Sequence, residues 1–312
     1  MKLTTCLVVG VTTALSLSSC FLSQEQPSKV NQVSGPAAEG LVLMEDVQGV
    51  GTAGLILAVF GKKADTAKTA RKTISKLDQQ DFDMEFPVVN FDWMPVKTQS
   101  RETRCRLSKG PKSSDGRGAS RANSFVSAGK LGFGPITSST LDLVPEDNGH
   151  RYAKKIEAGF GSGLYRVVVE GSADVVAFKD ILPVPEALKG VQINGVAMED
   201  GAVIKKSVGA DIQWNPTAVY DDSNKMLIDI YADLDTETYQ LHCQASEKDF
   251  YTPFDGAPLH WNFPAKAFAQ IPTTEHAQVY LKRGQSRTVK DDRLDVDLEG
   301  LRINVANFTL QE

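Results

Sequence analysis

Asp229-Ile230-Tyr231-Ala232-Asp233-Leu234 and the neighbouring Tyr239-Gln240-Leu241-His242-Cys243-Gln244 decide the fold. In the first run Ile230, Ala232 and Leu234 fall on one side of an extended chain. In the second Tyr239, Leu241 and Cys243 do, which turns His242 and Gln244 outward. Side chains alternate across a strand with a period of two. Such alternation marks half-buried antiparallel strands, with one face on a core and the other in water. Asp211-Ile212-Gln213-Trp214 repeats the pattern and puts Trp214 on the face of Ile212.

Outward from these runs, short alternating or apolar stretches bounded by Gly, Pro, Asn and Asp recur along most of the chain. Before residue 183 they are Phe86–Trp93, Thr103–Leu107, Lys130–Phe133, Thr140–Val144, Arg151–Ile156, Leu164–Glu170 and Val175–Leu182. After it come Val191–Ile193, Ala202–Lys205, Asp211–Trp214, Met226–Leu234, Tyr239–Ala245, Ala277–Lys282, Arg293–Leu298 and Leu301–Thr309. Strands about ten residues apart with turn signals between them predict an all-β protein of antiparallel sandwiches. Pro183-Val184-Pro185 stiffens the chain and removes two ladder donors. A boundary there separates a β-rich domain over 41–183 from a second β-sandwich over 186–312. Two short helices are expected. Ala64–Leu77 sets Ala67, Ala70, Ile74 and Leu77 at helical spacing, and Pro264–Ala269 opens with the residue suited to a first turn. The apolar run Val47–Phe60 fits a buried strand, a buried helix or a segment in contact with lipid.

The chain starts with a lone charge at Lys2, an apolar run from Leu7 to Leu17, and small residues at Ser18 and Ser19 before Cys20. That order reads as a secretory signal over 1–19, and the run is far shorter than the ~20 apolar residues of a membrane span. Leu17-Ser18-Ser19-Cys20 resembles the lipobox of bacterial lipoproteins. The resemblance implies cleavage before Cys20 and a thioether-linked diacylglycerol on its thiol, with an acyl chain such as palmitate on the new amine. Two or three chains hold a protein on a bilayer where one does not. Phe21 stands where an aspartate marks inner-membrane retention in such lipoproteins, so the resemblance implies the outer membrane. Residues 20–40, polar from Ser23 to Gly40, are expected to form a flexible tether spanning roughly 25 Å.

The lipobox, the series ADIQW…MLIDIYADL…YQLHCQAS and the closing LRINVANFTL resemble bacterial outer-membrane lipoproteins with Ig-like β-sandwich domains. The resemblance implies two tandem Ig-like sandwiches behind a lipid anchor, and no activity. The Cys–Trp–Cys spacing of antibody domains is missing.

With residues 1–19 removed, 33 basic face 39 acidic residues. A mildly acidic chain is not a general nucleic-acid binder. The exported setting permits a disulfide. Cys105 and Cys243, however, lie far apart in sequence and on opposite sides of the expected boundary, so two buried free thiols are expected.

Short motifs give way to plainer explanations. Gly49-Val50-Gly51-Thr52-Ala53-Gly54 matches a dinucleotide fingerprint, but no βαβ series follows it. Ser127-Ala128-Gly129-Lys130 matches S-x-x-K, but Gly129 and the flanking glycines oppose the helix that this pair needs. His150, His242, His260 and His276 have no zinc spacing. Asp295, Asp297 and Glu299 form a carboxylate row on one strand face, more consistent with a solvated face than with a calcium loop. No cofactor or metal is expected.

Lys97–Lys130 holds nine basic and two acidic residues. Its core, the basic loop 108–124 (SKGPKSSDGRGASRANS), is expected to be long and solvated. Lys109, Lys112, Arg117 and Arg121 there are the candidate contact surface for an envelope protein, lipopolysaccharide phosphates or an acidic glycan. Trp93, Tyr251, Phe254 and Trp261 are candidates for a sugar-stacking platform, a role that competes with core packing. The expected function is a non-catalytic binding or structural module of the envelope. The alternatives are a carbohydrate-binding or adhesive module, and an envelope hydrolase whose residues converge from distant strands.

Overall fold

The computed structural model describes residues 38–49, 53–62, 92–98, 102–111, 126–145, 151–157, 159–217, 221, 223–250 and 257–312. These form β1 (Ala38–Gly49), β2 (Ala53–Lys62), β3 (Asp92–Thr98), β4 (Glu102–Pro111), β5 (Leu131–Pro135), β6 (Leu141–Leu143), β7 (Arg151–Ile156), β8 (Gly163–Val169) and β9 (Phe178–Val184). There follow β10 (Lys189–Ile193), β11 (Val196–Ala197), β12 (Ala202–Lys205), β13 (Gly209–Asn215), β14 (Lys225–Asp233), β15 (Glu237–Ser246), β16 (Leu259–Pro264), β17 (Thr274–Asp291) and β18 (Leu294–Gln311). The helical turns among the described residues are short 3-10 turns at Met198–Asp200, Glu247–Asp249 and Ala265–Ala267. The protein is all-β.

β17 and β18 form a hairpin of two 18-residue strands on which everything else is built. Along one edge of β18 two strands lie end to end, both parallel to it. β1 pairs from Leu294 to Val305, and β12 from Phe308 to Gln311. β12 also turns tightly into β13, with Lys205 opposite Gly209. The order β18-β17-β14-β15-β4-β3-β16-β13-β12 therefore returns to β18 and closes a ring. Inward-facing residues fill it: Ile212 and Trp214 of β13, Ile228 and Ile230 of β14, Leu241 and Cys243 of β15, Trp261 of β16, Val279 and Leu281 of β17, and Phe308 and Leu310 of β18. Full burial of each large aliphatic or aromatic side chain contributes about 1.5–3 kcal/mol, so the ring is a packed core and not a pore.

The other end of the hairpin belongs to a sandwich. From β18 the main sheet continues through β1 and β2 to β7, and a second sheet, β6-β5-β8-β9, covers it. Val42, Met44, Ile56, Phe60, Tyr152, Val296 and Leu298 from the first sheet meet Leu131, Phe133, Val167, Val169 and Leu182 from the second. A third apolar cluster, Leu41, Leu43, Leu57, Val59, Leu301, Ile303 and Val305, lies on the opposite face of the main sheet, as alternation along β1 and β18 requires.

The expected division into 41–183 and 186–312 does not partition the strands. β3 and β4 precede Pro183-Val184-Pro185, yet lie in the ring between β15 and β16, and the C-terminal hairpin serves both cores. Two tandem sandwiches thus give way to a closed ring and a sandwich sharing one hairpin. Cys105 and Cys243 are not free thiols. They stand opposite each other on β4 and β15, with Cα atoms 4.3 Å apart, and form a disulfide. Sequence separation was a poor guide because β4 is inserted beside β15.

The apolar run Val47–Phe60 ends β1 and forms most of β2, antiparallel strands that exclude the strand–turn–helix geometry of a dinucleotide fingerprint. The expected tether over 20–40 gives way to strand at Ala38, where β1 begins. Arg293–Leu298 and Leu301–Thr309 are one strand, because Gly300 pairs with Gln285 without a break. The helix expected over Ala64–Leu77 lies outside the described residues, as does the secretory signal expected over 1–19. Pro264 stands at the start of the 3-10 turn Ala265–Ala267.

Candidate functional site

Where β18 passes from β1 to β12, two residues, Ala306 and Asn307, have neither strand beside them. A cleft of about 510 Å³ opens there, lined by Gln48 at the end of β1, Asn304–Asn307 of β18, Leu188, Gly190 and Val191 around β10, and Met198–Gly201. It lies at the junction of the ring and the sandwich. Such junctions, and the points where neighbouring strands part, are where clefts form.

The polar groups of the cleft are carboxamides and carboxylates. The Asn304 Nδ2 donates to the Leu188 carbonyl at 3.3 Å, and its buried Oδ1 has no hydrogen-bond partner. The Asn307 Oδ1 accepts from Gln278 Nε2 at 3.0 Å. Glu199 and Asp200 are exposed at the rim, and among the described residues no lysine, arginine or histidine lines the cleft.

Two buried charge pairs stand nearby on the core side of the hairpin. Arg283 meets Glu247 at 2.9 Å and donates to the Glu186 carbonyl and the Thr217 hydroxyl. The Arg302 guanidinium meets Asp46 and the Phe160 carbonyl, while the Phe160 N–H donates to Asp46 at 2.7 Å. Arg283 thereby holds the segment after Pro185 as it crosses from the sandwich to the ring. Gly300 leaves room for this crossing, since a Cβ there would lie 3.1 Å from the Pro183 carbonyl oxygen.

A second polar cluster occupies the outer face of the ring. Asp229 is buried and holds Lys282 Nζ at 3.3 Å, His242 Nδ1 at 2.7 Å and Gln240 Nε2 at 3.1 Å. Gln240 also donates to the Tyr231 hydroxyl at 3.0 Å. Burial alone would raise the pKa of Asp229; the Lys282 ammonium and the hydrogen bond and charge of His242 overrule it and hold the carboxyl well below the usual range. His242 is outward-facing, as alternation predicts, but not isolated. No serine, threonine or cysteine is among its hydrogen-bond partners in the described residues.

The candidate contact surface divides. Lys109 is not in a loop, because Ser108–Pro111 complete β4. It sits opposite Tyr239, meets Glu237 at 2.8 Å and lies 5.2 Å from the Tyr239 ring centroid. The hydrogen bonds of Glu237 and Tyr239 raise its pKa. Lys112, Arg117 and Arg121 lie outside the described residues. Of the sugar-platform candidates, Trp261 is a core residue against Phe250 and Phe263. The Trp93 side chain, Tyr251 and Phe254 lie outside the described residues. His260 pairs with Asp211 at 3.1 Å, His276 is exposed, and His150 lies outside the described residues.

Ser127–Lys130 is not helical. The carboxylate row faces away from the sandwich core with a partner for each member: Lys290 for Asp295, Thr288 for Asp297 and Lys225 for Glu299. Among the described residues no group of three or more His, Cys, Asp or Glu could hold a metal ion. Cys20 lies outside the described residues.

Sequence reading missed the cleft, whose residues come from β1, from β10 and the residue before it, from Met198–Gly201 and from β18. Asn304 and Asn307, two carboxamides inside an apolar strand pattern, were the local signal. Comparison with known proteins found no matching family model and no matching curated protein.

Proposed function

We propose that this chain is an exported lipoprotein, held by acylated Cys20 at the outer membrane, that acts as a non-catalytic binding or structural module of the cell envelope. The structural observation that carries the export half is the Cys105–Cys243 disulfide, both of whose residues are buried in the ring. Disulfides of this kind persist in oxidising compartments and are rare in the cytosol. The binding half rests on the cleft between the two cores. β1 starts opposite Leu294, and the cleft lies at Ala306–Asn307, about 40 Å farther along β18 at ~3.3 Å per residue. β1 begins at the sandwich end, so the cleft stands at a distance from the anchored end of the chain.

The test is metabolic labelling of the native host with an alkyne fatty acid, followed by fractionation. Label on the wild-type chain in the outer membrane, and its loss with release of the chain in Cys20→Ala, is expected. An unlabelled wild-type chain in the cytosol overturns the proposal.

A further inference from the structure

Resting on that binding reading, we infer that the cleft between β1, β12 and the middle of β18 is a seat for a short, neutral glycan, held through its hydroxyls by Gln48, Asn304, Asn307, Glu199 and Asp200. Charge, hydrogen-bond capacity and backbone geometry each narrow the ligand.

Charge excludes the first class. Among the described residues no cationic side chain lines the cleft, and two carboxylates stand at its rim. A phosphate or a carboxylate ligand would enter against like charge and find no guanidinium or ammonium to pair with. Acidic glycans and lipopolysaccharide phosphates therefore do not suit this seat.

Hydrogen-bond capacity then selects among neutral ligands. The Gln48 carboxamide, at the end of β1, brings both a donor and an acceptor to the lining. Asn307, at the free edge of β18, has its Oδ1 taken by Gln278, and its N–H₂ has no hydrogen-bond partner among the described residues. The Asn304 Oδ1, Glu199 and Asp200 are acceptors. The residues lining the cleft thus bring both donors and acceptors to it. A hydroxyl gives one proton and accepts two, so a ring of hydroxyls satisfies such a set, whereas an ammonium uses only the acceptors. The floor of the cleft is apolar, from Leu188, Val191, Met198 and Ala306. It suits the C–H face of a sugar ring.

Backbone geometry sets a peptide aside. A peptide is commonly captured by adding a strand to a free sheet edge. Here the gap between the end of β1 and the start of β12 is only Ala306 and Asn307, too short for a ladder. The volume of about 510 Å³ falls within the range of small-ligand sites.

The experiment is calorimetric titration of the full chain, purified in detergent, with chitotriose, maltotriose, spermidine and trialanine. Binding of at least one neutral trisaccharide is expected, weakened about tenfold in Gln48→Ala and in Asn307→Ala, since each removes one hydrogen-bonding group. Both variants keep the wild-type melting temperature within about 2 °C, because Gln48 and Asn307 lie at the cleft surface. Binding of neither sugar, binding unchanged in both variants, or binding of spermidine or trialanine in preference overturns the inference. The full-length Cys20→Ala chain, titrated in parallel, separates the two proposals. Sugar binding by a chain that is never acylated in its host overturns the anchor alone, and an acylated chain that binds no sugar overturns the glycan seat alone.

Discussion

Arg283 and Arg302 stand directly opposite each other across the β17–β18 hairpin, and both are buried. Two like charges on neighbouring strands repel. Each is tolerated because a different part of the chain brings a carboxylate to it: Glu247 to Arg283, Asp46 to Arg302. The pair forms a polar partition between the ring core and the sandwich core. Removing one partner leaves a buried charge without compensation. Arg302→Leu and Arg283→Met are each expected to cost about 3–5 kcal/mol in urea unfolding. Asp46→Leu combined with Arg302→Leu should cost less than Arg302→Leu alone, and a larger loss in the double variant would contradict the pairing.

The disulfide ties β4, which enters the ring from the first half of the chain, to β15. It closes a loop with a sequence separation of 138 residues. Cross-links of long loops stabilise mainly by restricting the unfolded chain, typically by about 2–5 kcal/mol. Cys105→Ala with Cys243→Ala should lower stability by that amount, and a reductant should lower the wild-type melting temperature while leaving the variant unchanged. Equal melting with and without reductant in the wild type would show that the thiols are free.

Asp229 links stability to pH. Its pKa in the folded protein is held below its ordinary value near 3.8. A depressed carboxyl contributes stability that is present above the unfolded pKa and is lost as pH falls below it. The advantage of the wild type over Asp229→Asn should therefore shrink as the pH falls from about 6 to about 3, read as the urea midpoint at each pH. A constant difference across that range would sink the assignment.

Gly129 has a φ of 79°, and a Cβ on it would lie 2.2 Å from the Gly171 carbonyl oxygen. The Tyr152 hydroxyl donates to the Gly129 carbonyl at 2.6 Å and fixes that turn over the sandwich core. Gly129→Ala should destabilise the protein by more than about 1 kcal/mol, through both backbone strain and the clash. Thermal unfolding beside a Gly195→Ala control, where φ is also positive but no atom lies within 4 Å, separates the two effects.

Strand content was legible wherever one face meets a core and the other does not. Met226–Leu234 and Ala202–Lys205 were read nearly to their ends because alternation there is a local consequence of burial on one side. β1 and β2 were harder. Ile56–Phe60 is buried on both faces, and an apolar run without alternation has no period from which to choose between strand and helix. β16 carries two aromatics at alternate positions, Trp261 and Phe263, but is short and went unread. His242 was placed on the correct face, while its partner Asp229 was invisible because the pairing of β14 with β15 determines which residues stand opposite.

What the amino-acid order determined by itself is the class of structure and the side of each alternating strand that turns inward. These depend on neighbours within a few residues. Tertiary structure alone decided that Cys105 meets Cys243, that one hairpin serves two cores, and that β1 and β12 follow each other along β18 and leave a cleft between them. Pairing partners are selected by closure of long loops around a shared core. The free energy of that choice is spread over the whole chain, so no local window contains it.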